Sequence, residues 1–277
     1  MCPMSNTTID REYVLGTDEQ EHARLSLQHA LWADAAIGQW ARAGFGPGDT
    51  VIDVGCGPGF GSRDLARLLG PSGKVIAVDE SQRFLDYIDA TPTEPGCAPI
   101  ETSNQDVQRL NLPGDGADGA YCRWVLHFTP DPQAVIRSVH RALKPGGVFA
   151  IQDYCRWQSI FWAPNKGGVE TLRKCILASY ASHKANSDVG QMLPTWMEEV
   201  GFDVVEIRPL QRIARPGDAL WQWPTTYFDS FLPRLVKTGF MTQDEFETVM
   251  TEWRELGEQP GAFFFSPPQV EVIGVRR

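Results

Sequence analysis

Several features are missing from this 277-residue chain, and each absence excludes something. No run approaches 18 apolar residues, so no membrane-spanning helix is expected. The first residues, MCPMSNTTIDREYV, hold no basic segment followed by an apolar one, so no secretory signal is visible. The six cysteines (Cys2, Cys56, Cys97, Cys122, Cys155, Cys175) contain no CxxC pair and no regular spacing, as expected of reduced thiols in a cytoplasmic protein. The five histidines form neither HxxxH nor HxH, so nothing local proposes a metal site, and none is expected. Basic residues are outnumbered 25 to 35. A net charge of −10 lacks the positive surface with which a sequence-tolerant nucleic-acid binder displaces counterions.

The charge that is present is uneven. Residues 10–21 carry five acids against Arg11, and residues 242–259 carry six acids against Arg254. Both stretches read as solvated faces of surface helices, which leaves the rest nearly neutral. Hydrophobic residues make up 42% of the chain, so a sizeable core can form around a pocket.

The first half alternates strands and helices. VIDV (51–54), VIAV (75–78), a weaker segment at 100–104, GAYCRWVL (119–126) and VFAIQ (148–152) read as strands. Helical spacing joins Leu65, Leu68 and Leu69, then Phe84, Leu85 and Ile88, then Val135, Val139 and Leu143. Short apolar strands separated by helices predict a doubly wound α/β sheet buried on both faces. In the second half, 168–183, 194–200 and 216–258 read as helical, while FDVVEIR (202–208) and QVEVIGVR (269–276) read as strands. Eighteen of the 29 aromatic residues lie after Asp153, which fits either a helical cap with an aromatic pocket or a helical subdomain core.

The segment VIDVGCGPGFG (51–61) runs from a strand through a glycine-rich turn into a helix. Glycines there let the backbone bend sharply and approach a ligand. The GxGxxG dinucleotide fingerprint fails in both registers, because Phe60 or Ser62 stands where the last glycine belongs. A P-loop fails as well, since no Gly-Lys-Ser/Thr follows. Asp79 ends the next strand, where a carboxylate can accept two ribose hydroxyls and would repel a 2′-phosphate. Asp106 follows the third strand and can reach an exocyclic amine of a purine. Such a site suits an adenosine carrying no phosphate.

Together VIDVGCGPGFG, VIAVDES, Asp106-Val107, DGAYCRWVLHFTPDP and HRALKPGGVFAIQDY resemble a class I S-adenosylmethionine-dependent methyltransferase. The branch with ubiquinone/menaquinone-type and natural-product methyltransferases is the most similar. The resemblance covers residues 45–155 and, less closely, 188–209. It implies a Rossmann-like sheet of about seven strands, the last antiparallel, with a helical cap. The implied organisation is an N-terminal helical lid (1–44), the donor-binding core (45–155), a helical insertion (156–187), a core continuation (188–209), a substrate cap (210–267) and a final core strand (268–277). By resemblance, Gly55, Gly57 and Gly59 bend under the methionine part of S-adenosylmethionine and Asp53 supports the loop. Asp79, with Glu80 beside it, takes the ribose, while Asp106 and Val107 take the adenine. Arg123 lines the methionine end. Tyr13 and Gln28 are lid candidates, a tyrosine near the sulfonium gaining ~0.5–2 kcal/mol of cation–π attraction. The product is S-adenosylhomocysteine, and a homodimer through the cap is the one self-association the resemblance suggests.

On the acceptor side, His127 and Tyr154 stand at strand ends that line the crevice of an open parallel sheet and are the catalytic candidates, ahead of Asp153, His29 and His183. Trp124, Trp162, Trp221, Trp223 and Tyr227 are the pocket candidates, and aromatic walls favour a flat ring acceptor. The expectation is methylation of a small molecule, an aromatic or heteroaromatic natural product, at carbon, nitrogen or oxygen, with an indole-like ring preferred. RNA or protein methylation and a non-methylating cyclase or binding role are the alternatives. Charge and the sequence CRWVLHF, which stands in place of an Asn-Pro-Pro-Tyr loop, disfavour the RNA or protein reading.

Overall fold

In a computed structural model the described residues are 19–112 and 116–277. The chain opens with α1 (Glu19–Ala43) and then alternates β1 (Thr50–Val54), α2 (Phe60–Leu69), β2 (Lys74–Asp79), α3 (Gln82–Asp89), β3 (Ile100–Asn104), β4 (Ala117–Arg123), α4 (Pro132–Ala142) and β5 (Leu143–Tyr154). There follow β6 (Phe161–Ala163), α5 (Gly168–Ser182), α6 (Leu193–Val200), β7 (Phe202–Leu210), β8 (Ile213–Ala214), α7 (Gln222–Lys237), α8 (Gln243–Gly257), β9 (Phe263–Phe265) and β10 (Gln269–Arg276).

Seven strands form one sheet in the order β3-β2-β1-β4-β5-β10-β7, with β10 antiparallel to both neighbours. Successive strand residues point to opposite faces. Val51 therefore packs with α1 and α2, while Ile52 and Val54 pack with α4 on the other face. The strand order reverses between β1 and β4, and in open α/β sheets the crevice beyond the strand ends opens at such a switch point. Local signals set the helix starts around it. Asp131 accepts from Ala134 N at 2.9 Å with Pro132 at the first helical position of α4. Ser81 accepts from Phe84 N at the start of α3.

Helix α1 crosses from sheet to cap. Trp32, Ala36 and Trp40, four residues apart, are fully buried along one stripe. Trp40 meets Tyr121 of β4 edge-on at 5.2 Å, and Trp32 meets Trp223 of α7 at 4.8 Å.

Four expectations change. The fourth strand stops at Arg123 rather than 126, because Trp124 takes a left-handed backbone (φ 57°) and residues 126–128 form a 3₁₀ turn. The helical stretch 216–258 is two helices, α8 starting at a Thr242/Glu245 capping box. The cap also contains a small antiparallel sheet, β6-β9-β8, besides its helices. The acidic stretches are not wholly solvated either. Glu21 is buried against Arg24 (Oε1 to Nη2, 2.7 Å), and Glu252 is buried within the cap.

Candidate active site

The loop after β1 carries three glycines with positive φ: Gly55 (70°), Gly57 (53°) and Gly59 (82°). A Cβ on Gly55 would stand 2.5 Å from Val125 Cγ2, so space and conformation both demand glycine there. A Cβ on Gly57 would meet no protein atom within 4 Å. Gly57 instead donates its N–H to Asp79 Oδ2 at 2.8 Å, while Ser81 N donates to Asp79 Oδ1 at 2.9 Å. Two backbone donors thus orient the Asp79 carboxylate and leave lone pairs for further donors. Burial nevertheless pushes its pKa up. Below the loop, Ser62 Oγ donates to Asp53 Oδ2 at 2.6 Å, and burial pushes Asp53 up to about 6.

A cleft of about 1030 Å³ opens over this loop. Gln28, Asp53, Gly55, Gly57, Asp79, Glu80, Asp106, Val107 and Arg123 all line it. Gly59 does not: it backs onto Ile88, whose Cγ1 would lie 2.4 Å from an added Cβ. Tyr13 lies outside the described residues. Asp106 accepts from Gln108 N at 2.9 Å through Oδ1 and so caps the turn that carries Val107.

Arg123 belongs to a chain that sequence reasoning missed. Its Nη2 lies 2.8 Å from His29 Nδ1, and His29 Nε2 lies 2.8 Å from Asp64 Oδ2. Both nitrogens of His29 are therefore engaged, which removes it from the candidate bases. Arg123 Nη1 is buried without a hydrogen-bond partner.

A second cavity of about 50 Å³ lies beyond the first, and Gln28, Trp124 and Phe128 line both. Its walls include His127, Tyr154, Trp223 and Tyr227. Tyr180 is buried and Tyr227 half-buried, with their hydroxyls 2.8 Å apart, and loss of water around the hydroxyls raises both phenols, Tyr180 to about 12. His127 is 1% exposed, with Nδ1 2.8 Å from Asp153 Oδ1, close but not aligned for a hydrogen bond. The fully buried Asp153 accepts from Leu126 N at 2.9 Å and Tyr154 N at 2.8 Å, so it organises the turn at the end of β4. His183 is exposed at the end of α5 and lines the large cleft.

Trp162 and Trp221 line neither cavity. Both pack on Trp253 of α8 in the cap core, Trp221 stacked at 4.2 Å from the turn just before α7 and Trp162 at 5.5 Å from β6, so the ring of α8 draws them away from both cavities. Among the described residues no group of three or more His, Cys, Asp or Glu is placed to hold a metal ion.

A model of the methyltransferase domain matches residues 51–147, from the start of the VIDV run through the glycine loop, Asp79, Asp106 and Arg123 to the turn before VFAIQ. The chain carries a class I S-adenosylmethionine-dependent methyltransferase domain. Among curated proteins, the 2-phytyl-1,4-naphtoquinone methyltransferase of Synechococcus elongatus is 36% identical to it over 129 residues, covering 46% of this chain and 54% of that one. The arsenite methyltransferase of Halobacterium salinarum is 28% identical over 211 residues, covering 75% of this chain and 51% of that one. The chain thus spans about half the length of these relatives. Among solved structures, the putative methyltransferase held in complex with the Trm112 methyltransferase activator of Haloferax volcanii shares the fold, at 19% identity and a TM-score of 0.57, over 94% of this chain and 98% of that one. The family model ends at residue 147, before the cap, so it covers the cleft loop and strand ends and not the cap walls of the smaller cavity.

Proposed function

We propose that this chain is an S-adenosylmethionine-dependent methyltransferase that methylates a small, flat aromatic molecule held in the aromatic chamber next to the cleft. One observation carries the acceptor reading: Gln28, Trp124 and Phe128 line both the chamber and the cleft, so these three side chains alone would have to move aside for acceptor and donor to meet.

The cleft residues fit the donor. Asp79 holds the ribose hydroxyls and Asp106, with Val107 beside it, the adenine. The orphaned Nη1 of Arg123 would pair with the donor's α-carboxylate, and the open space at Gly57 would receive its amino-acid end. S-adenosylmethionine supplies an electrophilic methyl group when bound there, and S-adenosylhomocysteine is the product. The protein aligns the acceptor and keeps water out, and positioning of this kind contributes up to ~7–11 kcal/mol in favourable cases. His127, set against Asp153 and lining the chamber, is the proton acceptor, and Tyr154, whose ring meets it edge-on at 4.9 Å, positions the acceptor. A chamber of about 50 Å³ has room for a few waters only, so acceptor binding moves part of its wall.

The test pairs calorimetric titration of S-adenosylhomocysteine with methyl release from labelled donor onto indoles, phenols, hydroquinones and aliphatic amines. Turnover confined to the ring compounds is expected. Donor binding with turnover only on amines or on RNA would sink the acceptor reading.

A further inference from the structure

We propose that His29 is a positioning residue for the amino-acid end of the donor: through an Asp64–His29–Arg123 chain it fixes the guanidinium of Arg123 and latches α1 across the cleft. The proposal rests on the donor reading above and goes beyond it, since neither His29 nor Asp64 belongs to the loop or strand ends that define the donor site.

The protonation pattern of the chain follows from the groups themselves. A guanidinium only donates, so His29 Nδ1, 2.8 Å from Arg123 Nη2, must present its lone pair. The neutral ring then carries its proton on Nε2, which points at Asp64 Oδ2, 2.8 Å away. Asp64 is itself anchored on α2 by Arg67, Nη1 to Oδ1 at 2.5 Å, and the His29 ring stacks on Phe60 at 6.0 Å. One histidine on α1 therefore joins the first residues of α2 to the end of β4.

Arg123 is held on two sides. His29 takes Nη2, and the guanidinium lies 4.8 Å over the Trp124 ring. Its Nη1 is buried without a hydrogen-bond partner, in a residue that lines the cleft. A buried cationic donor left unpaired is costly, and an anion in the cleft relieves that cost. The anionic group of the donor is its α-carboxylate. Without His29 the guanidinium can swing, and the carboxylate must order it on binding.

A purely architectural latch would affect every ligand of the cleft alike. A carboxylate-positioning latch would affect only ligands that have the carboxylate. Calorimetric titrations with S-adenosylhomocysteine and with 5′-methylthioadenosine, the same nucleoside without the amino-acid part, separate the two. His29→Ala is expected to weaken S-adenosylhomocysteine about tenfold while leaving 5′-methylthioadenosine within about twofold. His29→Asn, whose Oδ1 can replace the Nδ1 acceptor, should recover most of the loss. Arg123→Ala should lose at least as much, and adding His29→Ala to it should cost nothing further, because the two act through one contact. Equal loss for both ligands, no loss for either, or additive losses in the double variant would overturn the proposal. If the unaltered protein binds neither ligand, the donor reading falls and this proposal with it. Binding of both ligands with a flat response to His29→Ala removes this proposal alone.

Discussion

The indole N–H of Trp223 donates to Gln28 Oε1 at 3.0 Å, and Arg24 Nη1 donates to the same oxygen at 2.8 Å. The helix over the donor cleft and the helix of the cap are thus tied together in the wall that both cavities share.

Trp223→Phe keeps one aromatic ring but removes that tie and leaves a gap where the rest of the buried indole packed. Stability should fall by about 1 kcal/mol for the hydrogen bond and by more for the gap, measured by urea unfolding. Turnover should fall with S-adenosylhomocysteine affinity nearly unchanged. A parallel loss of donor affinity would show that the tie serves the cleft instead.

His127→Ala should lower kcat about a hundredfold or more if His127 accepts the proton, with donor affinity kept. Turnover near that of the unaltered enzyme would remove it from that role and leave the Asp153–His127 pair as a structural contact.

The glycine loop separates two demands. Gly57→Ala meets only the left-handed backbone, a cost of roughly 1–2 kcal/mol, but places a methyl in open space beside the cleft. Gly55→Ala must also displace Val125. Thermal melts should therefore show the larger loss for Gly55→Ala, and titration should show donor binding impaired in Gly57→Ala while its fold is kept.

Asp53 predicts a pH signature. Its folded value of about 6 lies above the ~3.9 of an exposed aspartate, so between those values the folded chain keeps a proton that the unfolded chain has lost. Stability from this group is fully present below about pH 4 and falls as pH rises through about 6. Asp53→Asn should then be more stable than the unaltered protein at about pH 8, and this advantage should vanish at about pH 4. Equal differences at both pH values in urea unfolding would refute the assignment.

Glu252 tests the cap by itself. It accepts from Trp162 Nε1 at 2.5 Å, Lys166 N at 2.9 Å and Gly168 N at 2.7 Å, at the start of α5. Glu252→Ala strands these donors and should cost about 3 kcal/mol or more, read by unfolding followed through tryptophan fluorescence. Since Glu252 lines neither cavity, donor affinity of the folded variant should not change.

The residues that were legible in the sequence act locally. Gly55, Gly57 and Asp79 lie within one strand-turn-helix-strand unit, where backbone sterics and the spacing of strand ends fix what each residue faces. The Thr242/Glu245 capping box is just as local, yet the reading of 216–258 as one helical stretch passed over it. The end of β4 was not legible, because a tryptophan gives no local sign of the left-handed backbone it adopts at position 124. Nor was the small sheet, whose strands of two or three residues are too short to show a period.

Composition and local periodicity alone therefore determined the alternating sheet, the glycine loop and the acid at the end of each of the next two strands. Only the tertiary structure decided which aromatic rings face the chamber. Trp223 and Tyr227 do so, while Trp221, on the same stretch of chain, turns to Trp253. It also brought His29 to Arg123 across 94 residues. Contacts between distant segments depend on how whole elements pack, and no spacing along the chain records that.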